Sequence, residues 1–170
     1  MIYIEELKKP TSQKEQSEIG RKLLLRGLNV EYGFREMPEI SFGIYGKPFF
    51  KLHPEIHFNI SHCRNAVVAV ISDCEVGVDV ECINPFDREL AEYISSQEEL
   101  DSVLKSSDPA LAFTILWTKK ESCCKLTGIG LQDRREIQEI LKNDSSKFNT
   151  IINGMAGYVI TTCTKIDVLS

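Results

Sequence analysis

The stretch Val76-Gly77-Val78-Asp79-Val80-Glu81 decides the fold. Strict alternation predicts a strand with Val76, Val78 and Val80 on one face and Gly77, Asp79 and Glu81 on the other. One face is core; the other is chemistry or solvent. Two side chains on one face of a strand, two residues apart, have Cα atoms about 7 Å apart. Asp79 and Glu81 can therefore share one divalent cation, or stand as two solvated acids on a half-buried strand. Gly77 adds no side chain on their face, which predicts room for an ion or ligand to approach the backbone.

Working back from this strand, His57 to Ser61 and Ala66 to Ser72 read as two more strands, joined by turns too short for helical crossovers. That spacing predicts an antiparallel meander with Val76 to Glu81, and argues against a doubly wound parallel sheet. His62, at the end of the first strand, fits either a structural or a catalytic role. Glu39 to Tyr45 reads as a strand ending at the turn Gly46-Lys47-Pro48, whose lysine is either a surface cation or one that reaches a ligand. Ile2 to Leu7 reads as a short opening strand. Ser12 with Glu15 forms a capping box that starts a helix running to about Leu28, with Ile19, Leu23 and Leu24 on its core stripe. Arg21, Lys22 and Arg26 make it the densest basic cluster of the chain.

Forward of the acidic strand, Asn84-Pro85-Phe86-Asp87 reads as a loop, followed by two helical pieces, the second opened by Ser96 and Glu99. Asp108-Pro109 predicts an N-cap and a proline at the first helical position, and Gly128 predicts the end of that helix. Trp117, Glu121 and Lys125 recur every four residues and share one stripe of it. Asp133 to Leu141 fits a helix or an edge strand, and Phe148 to Ile152 with Tyr158 to Thr164 predicts a closing hairpin across Asn153-Gly154.

The chain has 170 residues, 42% of them hydrophobic and 26% charged, which suits one domain or two small halves around a shared core. A net charge of −5 argues against a broad nucleic-acid or anionic-membrane surface. The N-terminus does not read as a secretory signal, and no apolar run reaches membrane-spanning length. Cys63, Cys74, Cys82, Cys123, Cys124 and Cys163 lack paired C-x-x-C spacing and read as reduced thiols of a cytoplasmic protein.

Taken in order, Gly46-Lys47-Pro48, Phe58-Asn59-Ile60-Ser61-His62, Gly77-Val78-Asp79-Val80-Glu81 and Trp117-Thr118-Lys119-Lys120-Glu121-Ser122 with Lys125 form a set. The set resembles the 4′-phosphopantetheinyl transferase family, in its larger two-half type that activates peptide and polyketide synthases; the match covers roughly Arg21 to Leu131. The resemblance implies an α+β, two-layer, pseudo-duplicated fold with an antiparallel sheet plus a helix in each half, the halves being about 1–84 and 85–170 of a single domain. It implies an enzyme that moves phosphopantetheine from coenzyme A to a serine of an acyl or peptidyl carrier protein, dependent on Mg²⁺.

In that reading Asp79, Glu81 and Glu121 hold the metal, and Lys47, Pro48, Ser61, His62 and Lys125 contact coenzyme A. Glu121 is the first choice as base, with Lys125 and His62 on the phosphates. Three carboxylates suit a hard, oxygen-seeking ion that keeps several waters. The partners expected are the carrier protein and coenzyme A, with no nucleic acid and no membrane, and a monomer can complete the site because the strand acids and the helical glutamate share one chain. Docking of an acidic carrier is expected on Arg21, Lys22 and Arg26, with Arg64. Two other readings follow from the same residues: a non-catalytic carrier-binding module of the same fold, and another metal-dependent phosphoryl or pyrophosphate hydrolase.

Overall fold

A computed structural model describes residues 1–129, 133–142 and 145–165. Leu131, where the motif-bearing stretch ends, lies outside them. The elements run β1 (Ile2–Glu6), α1 (Gln13–Tyr32), β2 (Ile40–Phe42), β3 (Pro48–Phe50), β4 (His57–His62), β5 (Ala66–Ser72), β6 (Val76–Cys82), α2 (Arg88–Ile94), α3 (Gln97–Leu104), α4 (Pro109–Thr127), α5 (Arg134–Glu139), β7 (Lys147–Asn153) and β8 (Tyr158–Thr164).

Each sheet of three strands carries one long helix. β1, β5 and β4 form one antiparallel sheet under α1, and β6, β8 and β7 form a second, antiparallel in the order β6-β8-β7, under α4. The result is the α+β architecture with an antiparallel sheet and a helix on each side.

β5 shows why the layers stack this way. Val67, Ala69 and Ile71 point to α1 and pack with Leu23, Leu24 and Leu28, while Ala66, Val68 and Val70 point the other way and meet Val76, Val78 and Val80 of β6. A strand buried on both faces reads as an unbroken apolar run, as Ala66–Ile71 does. The valine face of β6 is thus core, as its alternation predicts, and the opposite face of β6 lies against α4.

Four local expectations need correction. The three-strand meander stops after β5: β6 takes its backbone partner from β8, some eighty residues on (Asp79 opposite Thr161), and meets β4 through side chains instead. Val78 and Val80 donate their amide N–H groups to Asn59 Oδ1 (3.2 Å) and Ser61 Oγ (3.3 Å), so polar side chains of β4 do the work that a ladder would have done. The space beside Gly77 is not open to a ligand, because a Cβ there would stand 2.0 Å from the Ser122 carbonyl oxygen and 2.5 Å from the Leu126 nitrogen. α4 uses that space to press its backbone onto the strand.

The expected strand Glu39 to Tyr45 is shorter, Ile40–Phe42, and pairs with β3, a strand that proline at position 48 had hidden. The closing hairpin is present, but its connection runs through residues 154–157 and not across Asn153-Gly154 alone; Gly157 N–H donates back to the Asn153 carbonyl at 2.8 Å. Other signals hold. Ser12 and Glu15 form the capping box of α1, which runs four residues past Leu28 to end at Gly33. Ser96 and Glu99 cap α3, Asp108 caps α4 with Pro109 following, and Gly128 closes α4. Of the two alternatives for residues 133–141, the helix is the observed one, over Arg134–Glu139. Cys63, Cys74, Cys82 and Cys124 are free thiols. Among the described residues no helix is long and apolar enough to cross a membrane.

Candidate active site

β6 and α4 bring the acids together. Alternation puts Asp79 and Glu81 on the α4 face of β6, and the four-residue repeat on α4 puts Trp117, Glu121 and Lys125 on the side that meets them. Contact is direct at two places. Trp117 Nε1–H donates to Glu81 Oε1 at 3.4 Å, and Lys125 Nζ donates to Asp79 Oδ1 at 2.6 Å.

Asp79 is the centre of the arrangement and only 3% exposed. Its Oδ1 accepts from Lys125 and from the Ser61 hydroxyl (3.0 Å), while the same Ser61 Oγ takes a second Lys125 proton at 2.9 Å. Its Oδ2 is buried and has no hydrogen-bond partner. A buried carboxylate oxygen in that condition costs free energy unless something else meets it.

The neighbouring acids report the same crowding. Burial, with the Asp79 charge second, pushes the Glu81 carboxyl up to about 7, against the smaller opposing effects of the Trp117 hydrogen bond and the Lys125 charge. Burial and then Asp79 push Glu121 up as well, with Lys125 opposing. Loss of solvation on burial is the main cause in both, with repulsion from the neighbouring Asp79 carboxylate second.

A cleft of about 300 Å³ opens beside this cluster. Lys47, Pro48, Asn59, Glu121 and Lys125 line it, so the turn of the β2–β3 hairpin forms one wall and α4 the other. Lys47 is half-buried there. Its ammonium donates to the Leu126 carbonyl at 2.5 Å, capping the end of α4, and burial lowers its proton affinity. Gly128 (φ +74°) turns the chain just beyond, where a Cβ would sit 3.0 Å from that of Lys47.

The sequence-predicted residues thus fall into three groups. Lys47, Pro48, Glu121 and Lys125 line the cleft; Asp79 and Ser61 lie directly behind Lys125; Glu81 sits one turn along, on Trp117. His62, exposed at the end of β4, is not among the residues lining the cleft. Arg21, Lys22 and Arg26 are exposed on α1.

Two residues of the site were not singled out from the sequence. Asn59 is buried, faces the cleft and holds β6; its signal was the alternation of Asn59 and Ser61 in β4, two polar side chains on the face opposite Phe58 and Ile60. Thr161, opposite Asp79, shares a hydrogen bond with Thr118 (2.8 Å) and another with Thr150 (3.2 Å), a buried hydroxyl row under the acids.

The donor chemistry fits a hard divalent cation, in that the three neighbouring carboxylates of β6 and α4 include an orphaned buried oxygen. Among the described residues, however, no three His, Cys, Asp or Glu side chains are gathered tightly enough to hold an ion where they stand. The positive charge beside Asp79 is that of Lys125.

The family model of the 4′-phosphopantetheinyl transferase superfamily matches residues 75–163, which span β6 through β8 and so contain Asp79, Glu81, Glu121 and Lys125. The chain belongs to this superfamily. Its similarity to curated members is consistent with that: 41% identity over 90 residues to the 4′-phosphopantetheinyl transferase psf-1 of Bacillus pumilus, covering 51% of this chain and 38% of that protein. Against the 4′-phosphopantetheinyl transferase gsp of Aneurinibacillus migulanus it is 34% identical over 138 residues, 75% of this chain and 56% of the relative. With the 4′-phosphopantetheinyl transferase Sfp of Bacillus subtilis (strain 168) the figures are 37% over 118 residues, 68% and 49%. The superfamily member described here spans about half the length of the curated relatives it matches.

Proposed function

We propose that the protein transfers the 4′-phosphopantetheine group of coenzyme A to a serine of an acyl or peptidyl carrier protein. The observation that supports this most is the position of Glu121 and Lys125: both line the cleft, one turn apart on α4, with Asp79 behind them. A phosphoryl-transfer site needs a group to take a proton and cations to meet phosphate oxygens, and this cleft offers both within one helical stripe.

In the reaction the carrier serine Oγ forms a bond to the β-phosphorus of coenzyme A. The bond from that phosphorus to the bridging oxygen breaks, and adenosine 3′,5′-bisphosphate leaves. Glu121 accepts the serine proton; burial, and Asp79 second, raise its proton affinity above that of an ordinary carboxylate. Lys125, with Ser61 behind it, offers its N–H groups to the diphosphate oxygens, and Pro48 with the stem of Lys47 forms the wall for the nucleotide. His62 serves as a further donor from the rim of β4.

Asp79, Glu81 and Glu121 would hold Mg²⁺, whose charge offsets that of the diphosphate as the bond exchanges. Asp79 would offer its orphaned Oδ2, and Trp117 orients Glu81 through its indole N–H. The exposed cations Arg21, Lys22 and Arg26 of α1 form the docking surface for an acidic carrier. The protein acts as a monomer, in the cytoplasm.

The test is the mass of a carrier protein after incubation with coenzyme A, Mg²⁺ and this protein. A carrier heavier by one phosphopantetheine arm supports the reading. Carriers of both types left unmodified, while turnover of simple nucleotides proceeds without them, favour a hydrolase instead.

A further inference from the structure

Lys125 has an assignment that the transfer reaction does not require. Its side chain is 31% exposed, yet the ammonium bridges two buried oxygens, Asp79 Oδ1 at 2.6 Å and Ser61 Oγ at 2.9 Å. Asp79, with 4% of its side chain exposed, is the most buried of the three acids, and the charges of Glu81 and Glu121 add to its own. A carboxylate in that position requires a cation, and removal of one partner from a buried pair leaves a costly lone charge. The chain supplies that cation itself, from a long side chain anchored four residues beyond Glu121.

We infer that Lys125 is an internal stand-in for the divalent ion: it neutralises Asp79 while no metal is bound and competes with the metal for that carboxylate. This rests on the reading of the three acids as a metal site. It accounts for two observations together. The acids are electrostatic neighbours but are not drawn into a cage, because the charge that would draw them in is already offset on Asp79 by Lys125. The Asp79 oxygen without a partner is the one that Lys125 does not reach. Metal occupancy and the freedom of the Lys125 ammonium are then linked, since a divalent charge at Asp79 removes the reason for Lys125 to stay there and leaves its N–H groups for phosphate oxygens.

The sign of one substitution separates this from a lysine that serves only the substrate. Mn²⁺ is titrated into the chelator-treated protein, without coenzyme A or carrier, and followed by electron paramagnetic resonance. Lys125→Met is expected to bind Mn²⁺ roughly fivefold or more tightly than wild type, because a competing charge within contact distance of Asp79 is gone. Lys125→Arg, which keeps the charge, is expected to stay close to wild type. The denaturant midpoint of Lys125→Met is expected to fall without metal and to return with saturating Mn²⁺.

Should Lys125→Met be too unstable to purify, the wild type answers alone: Mg²⁺ titration is expected to shift the Lys125 side-chain resonances in NMR as the ammonium leaves Asp79. Mn²⁺ affinity in Lys125→Met equal to or weaker than wild type overturns the inference, as does an unmoved Lys125 resonance at Mg²⁺ saturation. No measurement here involves transfer. Competition seen with no carrier ever modified therefore contradicts the proposed reaction and leaves the role of Lys125 standing.

Discussion

Asn59 of β4 accepts the amide N–H of Val78 in β6 through its side-chain Oδ1, at 3.2 Å, where two adjacent strands of one sheet would have used a backbone carbonyl. Two sheets meet at this seam, and a side chain carries the bond across it. Asn59→Ala leaves the buried Val78 N–H without an acceptor, at a cost of about 1–3 kcal/mol. Urea denaturation followed by circular dichroism is expected to show that loss; an unchanged midpoint would mean that the seam is held elsewhere.

Gly77→Ala places a methyl group where the Ser122 carbonyl oxygen and the Leu126 amide nitrogen already stand. Both are backbone atoms of α4 and cannot rotate away. Strain from overpacking costs about 1–3 kcal/mol or more, and any shift of α4 that relieves it moves Glu121 and Lys125 away from Asp79. A lower melting temperature together with lost transfer is expected; full activity in a stable Gly77→Ala would disprove the close packing.

The acids set a pH dependence in protein stripped of metal. The folded Glu81 carboxyl titrates at about 7 against an ordinary value of 4.5, mainly because it is buried, and Glu121 is raised for the same reason. Between those two pH values the folded protein holds more protons than the unfolded chain. Stability contributed by the protonated acids is therefore present below about 4.5 and lost as pH rises through about 7. Thermal melts across that range are expected to show the decline, and Glu81→Gln is expected to flatten it. A slope of the opposite sign in the Glu81-dependent part would contradict the burial argument.

Lys120 shows the same economy on the far side of α4. It is fully buried, pairs with Glu99 at 2.9 Å and donates to the Ile137 carbonyl at 2.7 Å, tying α3 and α5 to α4. Glu99→Ala removes the counter-charge and the capping-box bond to Ser96 together. Breaking a buried pair from one side costs about 3–5 kcal/mol. The double substitution Glu99→Leu with Lys120→Met is expected to recover much of it in denaturant titrations; equal losses for single and double variants would show that the charge pair is not what binds the helices.

Local signals were legible because local physics fixes them. The capping boxes at Ser12 and Ser96, the Asp108-Pro109 start and the Gly128 stop each concern a few consecutive residues, and each stands where the chain alone places it. The alternation of Val76, Val78 and Val80 correctly marks a buried face. What the chain alone did not yield was the identity of partners across space. A turn of three residues between β5 and β6 looks like a hairpin, yet β6 pairs with β8, because β1 and β4 already occupy both edges of β5; Asn59 and Ser61 take up the β6 amides left facing β4. Gly77 carries the same lesson: an absent side chain signals close approach, but not whether a ligand or a helix approaches. Within the site, the stripe Trp117, Glu121 and Lys125 and the strand acids were legible from spacing, whereas the Lys125–Asp79 pair and the engagement of Lys47 with Leu126 depend on how α4 packs against β6 and the β2–β3 turn.

In the proposed reaction Asp79, Glu81 and Glu121 serve one cation beside the coenzyme A cleft. A crystal structure of the protein grown with coenzyme A and Mn²⁺ tests it most directly, through the anomalous signal of the metal. The expected result is one peak bonded to carboxylate oxygens of all three acids, with the diphosphate in the cleft beside Lys125. A peak elsewhere, or one that leaves the carboxylate of Glu121 unbound and turned from the diphosphate, would contradict it.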